Sequence, residues 1–466
     1  MIPTPLIDRF AATLLIVLTG LFATKEWGLA PPALAIELTA LTVIAVLFFR
    51  VALSRKAFVL TGMALTLWMA ISGQDWINTA RQGLDKAAFI AAFFTALSTL
   101  RHTAERAQAL RKLGAFLAAQ PPGRRYAALT AGGHAFALVI NYGSISLLGG
   151  LASHAASAEA DPVIRGHRTR RMLLAIQRGF VSSLTWSPLA FSLAITIAIV
   201  PGASWSGALG PGLVSATIIA LSGWAMDSAF KPKVASPVLR QKPEGTWALF
   251  LPLLALLVLL TAMIGGIYAV ADLRIVGIVM VIVPLIAVVW AILQSLRGAE
   301  EAGTLHERAW VYVSQELPGY RGEVVLLMMA GFIGTVAAPV LQPIILSLGL
   351  DLGALPAGLV LGALVWLVPL LGQIGMNPIL AVTMIAPLIP SASALGVSPN
   401  ALVAAIVAGW SMSGVTSPFT ATTLLIGAFG KVSALRVGLG WNGAYFLVTA
   451  GVLTGWVLTY AFLLAR

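Results

Sequence analysis

Two segments of the chain place hydroxyl side chains around a proline at the same spacing. The first is Gly179-Phe180-x-x-Ser183-x-x-x-Ser187-Pro188-Leu189-x-x-Ser192. The second is Gly409-Trp410-x-x-Ser413-x-x-x-Ser417-Pro418-Phe419-x-x-Thr422, each position 230 residues after its partner and without a gap. Both lie inside long apolar runs. Proline there removes a backbone donor and clashes with the preceding turn, which leaves carbonyls free. Free carbonyls at bilayer depth are tolerated only when buried in protein or facing a water-filled cavity. Hydroxyls, amide oxygens and such carbonyls are the ligands that hard cations prefer. The plainer alternative at either copy is a kink satisfied by neighbouring hydroxyls.

Other chemistries find little support. The chain has no cysteine, so it can form neither disulfide nor thiolate site, and its five histidines are scattered; no zinc or haem centre and no other cofactor is expected. Of the 17 acidic residues, only Glu37 sits inside an apolar run, one turn from its end, while Asp227 and Glu323 lie near interfaces. A proton carrier at the midplane would need such a group, so sodium suits the hydroxyl-rich segments better. Arg178, one residue before the repeated Gly179, has Ala408 as its counterpart. Its guanidinium can pair an anionic substrate in a fork or reach back to headgroups beside Arg170 and Arg171. His134 reads as a hydrogen-bonded packing histidine.

These residues need elements that hold them in a membrane. Hydrophobic types make up 59% of the 466 residues and charged types 10%, with a mean hydropathy of +0.93, which excludes a soluble fold. The net charge of +12 sits between the apolar stretches, where lipid headgroups rather than nucleic acid are the expected partner. The N-terminal run after Arg9 lacks a small-residue cleavage site and reads as a retained first span. Placing Lys and Arg on the cytoplasmic side threads the chain as an all-α polytopic protein of about eleven spans, with its N-terminus cytoplasmic and its C-terminus outside, in the cell membrane (the inner membrane of a bacterium). Arg50, Arg55 and Lys56 mark one inner loop; Lys231, Lys233, Arg240 and Lys242 mark another; Arg297, Arg308 and Arg321 a third. The segment Thr103–Gln120, with Leu110, Leu113, Phe116 and Leu117 on one face, reads as an interfacial amphipathic helix.

Two apolar stretches have both flanks on one side and read as re-entrant hairpins: 126–153, with its tip near Asn141–Ser146, and 353–390, with a polar centre at Gly372–Pro378. The expected organisation is an N-terminal span (1–32), a first repeat (33–242) holding hairpin 126–153 and interrupted helix 172–200, and a second (243–466) holding hairpin 353–390 and interrupted helix 402–429. The two interrupted helices thread in opposite directions, as in an inverted-topology repeat.

Hairpin, helix broken at a Ser-Pro pair, then one more span, twice in opposite senses, resembles the ion transporter superfamily, particularly the divalent anion/sodium symporters, over nearly the whole chain. Thr185-Trp186-Ser187-Pro188 and Thr416-Ser417-Pro418 match that family's breaks. The tips depart from its usual Ser-Asn-Thr, having Asn141-Tyr142-Gly143-Ser144-Ile145-Ser146 and Gln373-Ile374-Gly375-Met376-Asn377-Pro378, so the resemblance carries the architecture rather than a dicarboxylate. It implies sodium held by Ser183, Thr185, Ser187, Ser413, Thr416 and Ser417. It implies substrate contacts at Asn141, Ser144, Ser146, Gln373, Asn377, Thr420 and Thr422, with Arg178 the candidate added by its charge, and by analogy a homodimer working as an elevator.

The expected function is therefore sodium-coupled secondary transport of a small anion, an organic acid or an oxyanion, and no enzyme. A sodium/proton antiporter or an anion efflux permease of the same superfamily is the alternative. A membrane-embedded enzyme would need a nucleophile or metal constellation that is absent from the sequence. Because the chain has no cysteine of its own, topology is directly testable. Ser157→Cys should be labelled by an impermeant thiol reagent only from the cytoplasm and Ser393→Cys only from outside. Labelling of Ser157→Cys from outside would turn the first hairpin into a span and abolish the inverted repeat.

Overall fold

Long runs of apolar side chains can cross a bilayer only if every backbone donor and acceptor is satisfied within the segment, which makes helices of them. The computed structural model describes residues 4–231, 243–296, 304–347 and 355–465, and among them every regular element is helical. Lys233, Arg240, Lys242, Arg297 and the first two residues of the 353–390 stretch lie outside the described residues. In chain order the helices are α1 (Thr4–Glu26), α2 (Ala33–Phe48), α3 (Leu53–Ile71), α4 (Trp76–Glu105), α5 (Gln108–Ala118), α6 (Pro122–Ile140), α7 (Gly143–Ser157), α8 (Pro162–Ser183), α9 (Phe191–Ile199) and α10 (Trp205–Ala229). There follow α11 (Leu251–Val270), α12 (Ile275–Leu296), α13 (Leu305–Val311), the single turn α14 (Leu317–Gly319), α15 (Arg321–Ser347), α16 (Ala357–Gln373), α17 (Pro378–Ile385), α18 (Pro399–Thr416), α19 (Ala421–Gly430) and α20 (Gly443–Thr459). Eight helices or helix pairs among the described residues are long and apolar enough to cross a membrane, and each coincides with one of the eleven expected spans. The other three are α2, whose 16 residues reach only about 24 Å at 1.5 Å per residue, α3, and the interrupted pair α8–α9. The protein is an all-α polytopic membrane protein.

The chain forms two compact units. One comprises Met1–Arg106, Leu259–Ala354 and Ile379–Pro390. Its charged groups sort by helix end. At one end Arg50 forms a bidentate pair with Asp8 (3.0 and 2.9 Å), Arg321 donates to the Arg50 carbonyl (3.0 Å), and Arg9 lies over the Trp310 ring. At the other, Lys25 pairs with Asp85, Arg274 with Glu26 (3.0 Å) and Arg81 with Glu37 (3.6 Å), and the Trp27 indole donates to the Gly277 carbonyl. Pairing with Lys25 sets Asp85 level with the end of α1. The 30 residues of α4, about 45 Å of helix, exceed a hydrocarbon core of about 30 Å.

The other unit comprises Ala107–Val258, Leu355–Pro378 and Ser391–Arg466 and contains both proline interruptions. The chain reverses between α6 and α7 at Asn141, which takes a positive φ of 46°, and the hairpin runs 122–157, wider than 126–153. Its arms of 19 and 15 residues are longer than half-crossings. α6 lies along α8 so closely that a Cβ on Gly179 would collide with the Thr130 carbonyl, and α16 lies along α18 with Gly409 against the Leu364 carbonyl. The repeated glycine thus admits a hairpin arm against each interrupted helix, as small residues do between membrane helices. α5 packs on this hairpin: Leu117 reaches Gly132, and Leu148 and Leu151 close over Gly114. The amphipathic segment is therefore covered by protein rather than lying on lipid, and it begins only after α4 has ended at Glu105.

The 353–390 stretch is divided between the units. α16 packs with α18, and Ile379–Pro390 belongs to the first unit. There the Thr383 hydroxyl donates to the Ala330 carbonyl (3.1 Å) and meets Gly334, where any larger residue would clash.

Candidate functional site

Proline at 188 and 418 denies a helical donor to the carbonyl four residues earlier, on Leu184 and Gly414. The chain restores both in the same way. Ser192 Oγ donates to the Leu184 carbonyl, and Thr422 Oγ1 donates to the Gly414 carbonyl. Gln177 Nε2 adds a second donor to Gly414 at 3.3 Å. The match extends through the turn. Ser187 Oγ and Ser417 Oγ accept from the backbone N–H of Leu189 (3.2 Å) and Phe419 (3.3 Å), while the Ser187 and Ser417 N–H groups donate to the carbonyls of Ser183 and Ser413. Two segments of one sequence pattern thus make one hydrogen-bond pattern. The carbonyls freed by proline are thus satisfied within the chain by hydroxyls four residues beyond each proline.

The hydroxyls themselves remain. Ser183 Oγ donates to Phe180 (2.7 Å), Thr185 Oγ1 to Ser182 (3.0 Å) and Gly212 (2.8 Å), and Thr416 Oγ1 to Met412 (2.9 Å). A hydroxyl whose proton is so engaged keeps lone pairs for a cation. At the second interruption Ser417 Oγ donates to the Gly372 carbonyl at the end of α16 (2.7 Å), tying the break to the tip. Ser413 Oγ faces the same glycine, where a Cβ on Gly372 would approach it to 2.6 Å. Ser413 is fully buried, and its hydroxyl has no hydrogen-bond partner. Thr420 Oγ1 bonds Thr422 and Thr423, and Thr423 Oγ1 donates to the Ser417 carbonyl (2.5 Å), so these hydroxyls form a cluster beside Ser417. The set is of the right chemistry for a hard cation. Among the described residues no cluster of His, Asp or Glu suits a metal ion.

The other candidates fall as follows. Ser144 Oγ donates to the Asn141 carbonyl (2.7 Å) inside the first tip, with Asn141 and Ser146 half-buried beside it. Gln373 turns back to the Pro369 carbonyl (3.3 Å), and Asn377 precedes α17. Arg178 is buried, 5% exposed, and its guanidinium is turned to protein partners. It donates to Tyr126 Oη (2.9 Å) and to Asn442 Oδ1 (3.2 and 3.1 Å) and lies 3.9 Å from the Tyr445 ring centroid. Nine residues before Ser187, about 13 Å along the helix, it stands apart from the interruption. His134 Nδ1 bonds Ser182 Oγ (2.7 Å), and His134 Nε2 accepts from the Trp186 indole (3.3 Å). Ser182 already donates to Gly179 (2.7 Å), so His134 donates at Nδ1. It is the packing histidine expected, latched to the first break.

Sequence reasoning passed over Gln177 and Asn442. Asn442 Nδ2 donates to Gln177 Oε1 (3.0 Å) and to the carbonyls of Val437 (3.2 Å) and Val415 (3.4 Å), joining α8, α18 and the turn before α20. Uncharged amides inside apolar spans were the available signal.

The fold and site define a polytopic helical membrane protein with two matched, proline-interrupted spans. Its fold is that of solved membrane transporters. The YdaH transporter of Alcanivorax borkumensis is similar over 86% of this chain and 98% of that one, at 16% identity and a TM-score of 0.51. MtrF of Neisseria gonorrhoeae, described with a class of antimetabolite efflux pumps, is similar over 79% of this chain and 80% of that one, at 17% identity and a TM-score of 0.54. No family model and no curated protein matches the sequence.

If the hydroxyls four residues beyond the prolines carry the breaks, Ser192→Ala should destabilise the purified protein by about 1 to 3 kcal/mol, the cost of an unsatisfied buried acceptor, because Ser192 supplies the Leu184 carbonyl with its donor. Ser192→Thr, which keeps the hydroxyl, should melt close to wild type. Equal melting temperatures for Ser192→Ala and Ser192→Thr would show that the Leu184 carbonyl is satisfied without this hydroxyl.

Proposed function

We propose that the protein is a secondary active transporter that couples sodium to the carriage of a small organic acid or oxyanion. The observation that carries this reading is the buried, unpartnered Ser413 hydroxyl beside Ser417 and the Gly372 carbonyl. Hydroxyls and one hairpin-tip carbonyl meet there where a hard cation would complete their coordination. Support comes also from the fold shared with two solved transporters and from the resemblance of both Ser-Pro breaks to the divalent anion/sodium symporters of the ion transporter superfamily. Under this reading residues 33–242 and 243–466 are inverted repeats. The unit carrying both interruptions is the moving element of an elevator within a homodimer in the cell membrane, with the N-terminus cytoplasmic. Substrate meets the hairpin tips at Asn141, Ser144, Ser146, Gln373 and Asn377, and the second break at Thr420 and Thr422. Arg178, held by Tyr126 and Asn442, supplies positive charge from within the same unit.

A second reading, efflux, is favoured by the fold shared with MtrF, which is described with a class of antimetabolite efflux pumps. The same site would then export an anionic antimetabolite, driven by sodium or protons.

Uptake of labelled organic acids into proteoliposomes tests both. With an inward sodium gradient wild type should accumulate substrate, and Ser413→Ala and Ser417→Ala should each raise the half-saturating sodium concentration about tenfold, the loss of one oxygen ligand. Accumulation that follows an imposed proton gradient and ignores sodium would overturn the coupling assignment in favour of the antiport or proton-driven reading.

A further inference from the structure

Away from both interruptions, the second unit carries a basin at the end that the charge rule assigns to the cytoplasm. Its cavity of about 600 Å³ is lined by Arg165, His167, Arg170, Lys431, Arg436 and Trp441, together with the hydroxyl residues Ser153, Ser157 and Thr169. No carboxylate is among its lining residues. Arg170, Lys431 and Arg436 have no ion pair among the described residues; Arg170 instead lies over the Trp441 ring, 5.7 Å from its centroid. Arg165 is partly engaged, donating to the carbonyls of Glu159 (2.8 Å) and Ala160 (2.9 Å).

A second cavity of about 290 Å³ shares His167, Arg170 and Trp441 with the first and ends on Arg178 and Tyr445. The one acid lining it, Asp227, is bound bidentately by Arg171 at 2.7 and 2.6 Å and so neutralises that arginine alone. Arg178 has three of its five N–H groups engaged, all by neutral partners. The two cavities together form a stepped basin with guanidinium or ammonium groups at every level.

Such a concentration of like charge is unfavourable unless something compensates it. Burial and the nearby charges of Arg178 and Arg436 hold the Arg170 guanidinium below its ordinary value. The first-turn N–H groups of α8 add no free anion donors, since Asp161 accepts from Val163 (2.8 Å) and Ile164 (3.3 Å), so side chains supply the donors here. Lys431 closes α19 in a left-handed conformation, φ 52°, which turns the chain toward Arg436. Guanidinium forks, an ammonium and hydroxyl donors around one space are the donor set that recognises a tetrahedral, multiply charged oxyanion.

We propose that this basin, walled by Arg165, Arg170, Lys431 and Arg436 over Trp441, binds an anion of the phosphate class, presented either free in solution or as the headgroup of an anionic phospholipid. The site requires neither sodium nor the helix interruptions, so it goes beyond the transport reading and stands or falls separately from it. A free anion would be gathered here at the mouth of the inner cavity. A lipid headgroup would fasten this end of the unit to the bilayer surface.

Purified full-length protein in phosphatidylcholine nanodiscs is titrated with radiolabelled inorganic phosphate at constant ionic strength held with potassium chloride. In parallel, its melting temperature is compared between phosphatidylcholine and phosphatidylglycerol nanodiscs without phosphate. Saturable phosphate binding identifies the soluble source; a higher melting temperature in phosphatidylglycerol alone identifies the lipid. In either case Lys431→Gln with Arg436→Gln should weaken the effect about tenfold or more, and Lys431→Arg should keep it. Should the double variant fail to fold, Lys431→Gln alone, at an exposed position, gives the same comparison at smaller amplitude. Absence of both effects in wild type, or effects that the glutamine variants leave unchanged, would overturn the assignment. Neither result would alter the sodium dependence of uptake, which tests the transport reading separately.

Discussion

The second unit is organised around the carbonyls that Pro188 and Pro418 leave without a helical donor. At bilayer depth an unsatisfied carbonyl is costly, and each is answered by a hydroxyl placed four residues beyond the proline, on Ser192 and on Thr422. That one bond lets the chain bend and restart as α9 or α19 instead of unravelling. It also fixes where Ser187 and Ser417 point and leaves the glycine on α8 or α18 free to accept a hairpin arm. Proline at these positions is thus part of a self-contained cap, and the hydroxyls left over are what a ligand can use.

Within that shared frame the two copies differ where chemistry would differ. The first has His134, Ser182 and Trp186 linked across the hairpin and the break, and at the positions of Ser182 and Trp186 the second has Met412 and Thr416. The first also carries Arg178 in place of Ala408. The second copy holds the unpartnered Ser413 and the bond from Ser417 to the tip.

Much of this was legible in the sequence because the signals were local. Hydropathy and basic flanks located the spans, and ion pairs such as Asp8–Arg50 and Glu26–Arg274 join groups that the charge rule had set on one side. The matched Ser-Pro segments gave the interruptions, and their last residues, Ser192 and Thr422, were in the pattern, although their use as caps depends on backbone direction that spacing alone does not give. What was illegible depended on contacts between distant segments. The meeting of Asp85 with Lys25 was one such contact, since it joins α4 to α1 across 60 residues. Leu113 and Leu117 looked lipid-facing because the hairpin that covers them lies further along the chain. Asn442 was invisible as a junction because its partners, Gln177 and Val415, are far from it in sequence.

The proposed cation site at the second interruption is tested most directly by calorimetric titration of the purified protein with sodium chloride against potassium chloride at matched ionic strength. A saturable heat with sodium and none with potassium, weakened about tenfold, or about 1.4 kcal/mol, in Ser413→Ala, is the expected result. No saturable sodium heat, or the same affinity in wild type and Ser413→Ala, would contradict it.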